Sequence, residues 1–317
     1  MSDTPFFTVD AFTSQPFLGN PAAVCVFKTD DEPSDEVKQQ LAIEFNLSET
    51  AFPIPKANEL QHTAKRWSLR WFTPTNEVPL CGHATLATAH VIFNELGNTN
   101  DELEFETLSG LLTVRRQSDG YLQLDFPRFK ITILNTSSQF EGLFPMETDV
   151  DGVAKSIAEL LTVNLTPAIG LAYSSESKKL IVIIDPKTTR SQFLTIQPRS
   201  SELLRVNPTA EFVRGVIVAF AVNNPQAQGF DEDVDYVLRY FAPWNGIEED
   251  PATGSAQCAA APFFARLLKK QTLKGFQCYP KRGAKFLVDL NGDPKRLKIS
   301  GRAVLIFRGH ICSQVFQ

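Results

Sequence analysis

Two segments of the chain repeat one pattern, and the repeat limits what the whole can fold into. Leu69-Arg70-Trp71-Phe72-Thr73-Pro74 leads to Cys81-Gly82-His83-Ala84-Thr85-Leu86. Leu238-Arg239-Tyr240-Phe241-Ala242-Pro243 leads to Thr253-Gly254-Ser255-Ala256-Gln257-Cys258, across a connection three residues longer. Each copy reads as an alternating strand, a proline-bearing loop, and an apolar helix that opens on glycine and a small polar residue. The copies lie too far apart for stacked short repeats, so the chain is expected to hold two related halves. A helix start of this kind leaves backbone N–H groups available to an anion such as a carboxylate. An ordinary self-capping start has the same composition. Two halves that face each other would turn both starts toward one cleft, a double cradle for a negatively charged substrate. The second helix is apolar from Ala259 to Leu268 and ends in Lys269-Lys270, where the helix dipole favours positive charge. Pro262 predicts a kink there, or a late helix start.

A chain of 317 residues has room for two cores, placed at 1–128 and 129–317, with the last strand a candidate to return to the first half. The net charge of −5 provides no basic footprint, which argues against nucleic acid as a partner. The start Met1-Ser2-Asp3-Thr4-Pro5 lacks a secretory pattern, and no apolar run is long enough to span a bilayer. Five cysteines, odd in number and without a C-x-x-C, fit free thiols in a reducing cytoplasm. Their spacing relative to the four histidines suggests no zinc site. Gly-x-Gly-x-x-Gly and P-loop patterns are missing, so no nucleotide cofactor is signalled, and none is expected.

In order, strands are expected at Phe6–Phe12, Ala22–Phe27, Asn46–Phe52 (at its end), Trp67–Trp71, Leu103–Thr107, Leu111–Arg115 and Tyr121–Phe126. An amphipathic helix covers Asp35–Phe45, and the first repeat helix runs from Gly82 to Leu96. Beyond Pro127–Ser138, the passage into the second half, Val150–Leu161 reads as the counterpart of Asp35–Phe45. Strands follow at Leu180–Ile184, Gly215–Val222, Asp231–Phe241 (at its end), Phe276–Tyr279, Lys285–Leu290, Leu297–Ser300 and Ala303–His310, with a helix near Ser201–Arg205. Strand-rich halves with one apolar helix each indicate α+β rather than a doubly wound parallel sheet.

Gly19-Asn20-Pro21-Ala22-Ala23-Val24, Asn46-Leu47-Ser48-Glu49-Thr50-Ala51-Phe52, Leu80-Cys81-Gly82-His83-Ala84-Thr85 and Glu249-Asp250-Pro251-Ala252-Thr253-Gly254-Ser255 stand in the order seen in the PhzF-like family of phenazine-biosynthesis isomerases. The chain resembles that family along essentially its whole length, and its animal branch, typified by the MAWD-binding protein, most in appearance. The resemblance implies the diaminopimelate-epimerase fold: two pseudo-symmetric halves, each a curved antiparallel sheet around a central helix. It further implies a single carboxylic acid/base at Glu49, with partners matching His83, Asp250 and Ser255 and backbone donors at Gly82 and Gly254. Asn20 and Ser48 fall in the same motifs as substrate-binding positions. Related racemases face two cysteines. Cys81 stands where the first is expected, but Pro251-Ala252 occupies the place of the second, which favours a one-residue proton shuttle over a two-base racemase.

Burial of Glu49 would raise its pKa and suit it to donate and accept a proton near neutral pH; a surface turn cap is the plain alternative. His83 at a helix start should be held neutral by the dipole, or simply bond a loop carbonyl. Asp250, just before a helix, suits a cap and could hold a substrate amine or fix His83. Ser255 suits a donor to a substrate carboxylate, not a nucleophile, since Gly-x-Ser-x-Gly is missing. Cys81 and Cys258 read as small buried residues, and His90 as part of the core. The expected activity is a cofactor-independent isomerisation of a small carboxylate. A protein-binding or metabolite-sensing module with a WD-repeat partner is the alternative. Dimers occur in the family, so a homodimer is compatible.

Overall fold

The computed structural model describes residues 4–56, 59–136, 140, 142–148, 152–165, 167–230 and 233–316. Contacts group the chain into two compact units: residues up to Phe126 together with those from Lys298 onward, and Pro127–Leu297.

The first unit carries the strands Thr4–Ala11, Asn20–Cys25, Glu49–Pro55, Arg66–Phe72, Glu77–Val78, Glu102–Thr107 and Gly110–Arg116, with helices Asp35–Phe45 and Gly82–His90. The first two strands pair antiparallel, the second and third parallel, the third and fourth antiparallel. The fourth pairs antiparallel with the fifth and parallel with the sixth, which pairs antiparallel with the seventh. Ala303–Ile311 closes the far edge against Thr4–Ala11.

The second unit repeats this order of directions through Gly170–Ser174, Lys179–Ile183, Gly215–Ala221, Tyr236–Ala242, Ile247–Asp250, Thr272–Cys278 and Gly283–Asp289. The sheets are therefore mixed, not wholly antiparallel as expected. Parallel neighbours need a long crossover, and the helices stand in those crossovers. In the first unit these are Asp35–Phe45 and Gly82–His90; in the second they are Arg190–Phe193 with Ser200–Val206, and Gly254–Leu268. The counterpart of Asp35–Phe45 is thus the pair of short helices. Helix Val153–Leu161, expected to fill that role, precedes the repeat; Val150 lies outside the described residues, as does Asp231.

Each sheet has two covered faces. In the first unit, helix Gly82–His90 packs on Thr4–Ala11, Asn20–Cys25 and Glu49–Pro55. On the other side Leu41 and Ala42 of helix Asp35–Phe45 join Phe27, Phe52, Ile54 and Phe72. In the second unit Tyr236 stacks on Phe264 with ring centres 4.6 Å apart, so the face of Tyr236, Leu238 and Tyr240 fronts helix Gly254–Leu268. Val216, Val218, Phe220, Val237 and Phe241 pack the opposite face with Ile157, Leu161, Phe193 and Leu203. The expected first repeat helix changes character part-way: α-helical over Gly82–His90, it continues as a π-helical turn over Val91–Glu95, where the Leu96 amide reaches back to the Val91 carbonyl. Pro262 lies inside a helix that runs continuously from Gly254 to Leu268. Among the described residues no helix is long and apolar enough to cross a membrane. All five cysteines are free thiols, with only Cys312 exposed.

Gly19 decides how the second strand begins. Its φ of +64° is in the left-handed region, and a Cβ there would collide with the Ala11 carbonyl oxygen. Gly19→Ala is therefore expected to lower the unfolding free energy by about 2 kcal/mol, from left-handed strain plus the clash. Urea titration of wild type and variant measures this; an unchanged midpoint would show that the turn re-forms around a side chain.

Candidate active site

Three segments of the first unit bring polar side chains together at the start of helix Gly82–His90. Asn20 opens its strand directly after the Gly19 turn. Asn46, at φ 49°, ends helix Asp35–Phe45 in a left-handed cap and turns the chain so that Ser48 and Glu49 lead into the next strand. Cys81 is the N-cap residue of the helix and His83 its second residue; no side chain caps this helix, so its first amides have no partner within the helix. Asn20, Glu49, Cys81 and His83 are all buried, His83 to 2% exposure and Glu49 to 8%.

The hydrogen bonds set the state of His83. Asn20 Nδ2 donates to His83 Nδ1 at 3.1 Å, while Asn20 Oδ1 accepts from the Ser48 hydroxyl at 3.0 Å. With the amide NH2 turned to the ring, Nδ1 accepts; the Ser48 hydroxyl, able to donate or accept, fits either polarity. In this tautomer the proton sits on Nε2, hydrogen-bonded to Ser48 Oγ at 3.3 Å, with Glu49 Oε2 3.2 Å away. Burial lowers the His83 pKa to about 3, so the ring is neutral at physiological pH and its contact with Glu49 is a close approach, not an ion pair. Cys81 Sγ stands 3.5 Å from His83 Nδ1, so this thiol touches the ring and is more than core filler. Glu49, Cys81 and His83 also bring ligand-type atoms within 4.8 Å of one another, a grouping the cysteine and histidine spacing did not signal.

In the second unit Asp250 ends the strand Ile247–Asp250 and is buried. The N-cap of the following helix is Thr253, not Asp250, which corrects the capping role expected for the acid. Instead the Thr253 hydroxyl donates to Asp250 Oδ2. Gln277, fully buried, clamps the turn: its Nε2 donates to the Asp250 carbonyl at 2.6 Å, and its Oε1 accepts from the Thr253 amide at 2.7 Å. Sequence reading missed Gln277, although an amide in the midst of a strand with alternating burial was a usable signal. Burial and the carboxylates of Glu249 and Asp250 push the Tyr279 phenol above its ordinary value. Ser255, at the helix start, is half-buried, and Gly254 is buried. Cys258 bonds the Gly254 carbonyl, and burial drives its thiol up to about 12, so it is a packed, protonated residue. His90 is half-buried and its Nδ1 accepts from Asn94, so it is not the core residue expected.

Residues 9–309 match the PhzC-PhzF family, described as phenazine biosynthesis-like protein. The chain belongs to the PhzF family. It is 37% identical over 311 residues to phenazine biosynthesis-like domain-containing protein 1 of Mus musculus, a match that covers 96% of this chain and 98% of the mouse protein. It is 37% identical over 310 residues to an uncharacterized isomerase of Pseudomonas aeruginosa, with 96% and 97% covered. Among solved structures, a PhzF family protein of Enterococcus faecalis superposes with a TM-score of 0.75 at 30% identity, over 98% of this chain and 99% of that one. The fold is accordingly the diaminopimelate-epimerase-like fold of PhzF proteins, and relatives named as isomerases support an isomerase-class enzyme in general.

Neutral burial of His83 makes stability depend on pH. Its native pKa lies below the unfolded value of about 6.5, so the stabilisation is whole above that value and is lost as pH falls toward 3. From pH 7 to pH 5 the loss from this residue is about 2 kcal/mol. Urea unfolding at both pH values should show His83→Gln losing correspondingly less than wild type. Equal losses would mean that the imidazole takes up its proton without cost.

Proposed function

We propose that this chain is a cofactor-independent isomerase that moves a proton within a small carboxylate-bearing substrate, with Glu49 as the single acid/base. The observation that supports this most is the buried carboxyl of Glu49 set 3.2 Å from the protonated nitrogen of a neutral His83. A neutral imidazole beside the carboxylate does not neutralise it, so the acid keeps its capacity to take a proton. Proton removal from a carbon beside a carboxylate and its return to another carbon then need one group only. The asymmetry with two-base racemases supports the same reading: Pro251-Ala252 leave the second half without a facing thiol.

In this reading Asn20 and Ser48 act on His83. Asn20 holds the ring through Nδ1, and Ser48 bonds both Asn20 and Nε2. The open amides at Gly82 and His83 suit a carboxylate, because the helix start is uncapped by a side chain. Asp250, Gly254 and Ser255 enter as substrate-binding groups of the second unit, Asp250 as the acceptor for a substrate amine or hydroxyl.

The test is deuterium uptake from heavy water into a panel of small unsaturated hydroxy- and amino-carboxylates, followed by mass spectrometry. Wild type should exchange at least one carbon-bound proton, and Glu49→Gln should lose that exchange by about a thousandfold or more, as befits removal of an acid/base. His83→Asn, which keeps a polar group but not the Nε2 donor geometry, should lose about ten- to hundredfold. Exchange that survives Glu49→Gln would remove Glu49 as the base.

A further inference from the structure

Each unit holds one arginine in the same place, doing the same thing. In the first unit Arg70 grips Glu77 in a two-pronged bond, Nε to Oε1 at 2.7 Å and Nη2 to Oε2 at 2.8 Å. In the second Arg239 grips Glu249 with the same atoms, both at 2.6 Å. Glu77 stands five residues before Gly82, and Glu249 five before Gly254, although the loops between arginine and glutamate differ by three residues. The guanidinium also lies over the aromatic ring two residues on, 5.1 Å above Phe72 in one unit and 5.2 Å above Phe241 in the other. One cross-strand pair also agrees, Trp71 with Val78 and Tyr240 with Asp250, before the second unit's register shifts.

The two copies differ in burial. Arg70 is 26% exposed and shares its guanidinium with Asp35. Arg239 is 1% exposed, and its Nη1 donates to the carbonyls of Phe193 and Ile196, both at 2.9 Å. A two-pronged pair at an exposed site contributes little, whereas a buried pair with its remaining protons satisfied holds its geometry firmly.

Position explains what the buried pair is for. Arg239 lies on the sheet face of Val237 and Phe241, away from helix Gly254–Leu268. Along a strand neighbouring side chains point to opposite faces. Glu249 is therefore drawn back to the Arg239 side while Asp250, next in sequence, is presented to the other, where it meets Thr253. Where the first unit has Val78 at this point, the second has the acid.

We propose that Arg239 is a positioning residue: through Glu249 it anchors the strand Ile247–Asp250 from behind, and so sets Asp250 and the start of helix Gly254–Leu268. The functional weight of this inference rests on the reading of Asp250 as a site residue, but its test does not use activity.

The measurement is amide hydrogen exchange, read by mass spectrometry over peptides covering 250–258 and, as an internal reference, 215–221. Arg239→Met alone strands a buried carboxylate and is expected to unfold the unit, so the informative protein is Arg239→Met with Glu249→Leu, in which both charges are gone. It should melt within a few degrees of wild type, keep the exchange of 215–221, and exchange amides 252–257 at least tenfold faster, the Thr253 amide among them. Arg239→Lys retains the charge but not the fork and should also exchange that segment faster. Wild-type exchange at 252–257 in either protein would overturn the proposal. So would equal acceleration across both peptides, which would mark the pair as a support of the whole unit. A wild type that fails the deuterium-uptake assay would count against the proposed function and leave this result standing.

Discussion

The hydrogen bond from the Asn20 amide to His83 Nδ1 is the constraint on which the first unit's site depends. It works only if the ring is neutral, and burial makes it so by holding the His83 pKa down to about 3. Once Nδ1 accepts, Nε2 carries the proton, bonded to Ser48 Oγ and close to Glu49 Oε2. Ser48 links the two partners, its hydroxyl bonded to both Asn20 Oδ1 and Nε2. A chain of hydrogen bonds through Asn20 and Ser48 is therefore the means by which the imidazole is held beside Glu49.

The duplication explains why the two units place different side chains at equivalent points of one frame. Both units use the same order of strand directions and the same two crossovers, so each presents a helix start next to a short return strand. At equivalent points the side chains diverge. The first helix begins with Cys81, which touches His83; the second begins with Thr253, which is tied to Asp250. A common backbone frame sets where a side chain can stand, and substitution at those places sets its chemistry. Gln277 bonds both ends of the turn around Asp250, and Arg239 bonds Glu249 next to it.

Much of this was legible in the residues. Alternation in Trp67, Leu69 and Trp71 marked a strand whose buried face carries all three, because side chains in a strand alternate faces whatever the surroundings. Helix Asp35–Phe45 was readable from its apolar stripe and acidic first turn. The errors came from partners distant in sequence. Val153–Leu161 looked like the match of Asp35–Phe45 because both are amphipathic, but pattern does not reveal which strands a helix joins. The antiparallel sheets were what the family resemblance implies; the parallel pairs joined across each crossover are contacts between distant strands, which local periodicity does not record. His90 was assigned to the core from its apolar neighbours, yet its own ring turns toward Asn94.

The sequence by itself determined that the chain is duplicated, that it is an α+β protein of the PhzF family, and which residue types stand at the two helix starts, because those are matters of pattern and order along the chain. Only the tertiary structure decided what those residues do to one another. Asn20 and His83 are 63 positions apart, and Arg239 and Gln277 act on a turn whose sequence mentions neither. The neutrality of His83 depends on the atoms packed around it, and packing is a property of the folded chain. Donor and acceptor roles, burial and the two arginine grips all arise where distant segments meet, and so no reading of local pattern could supply them.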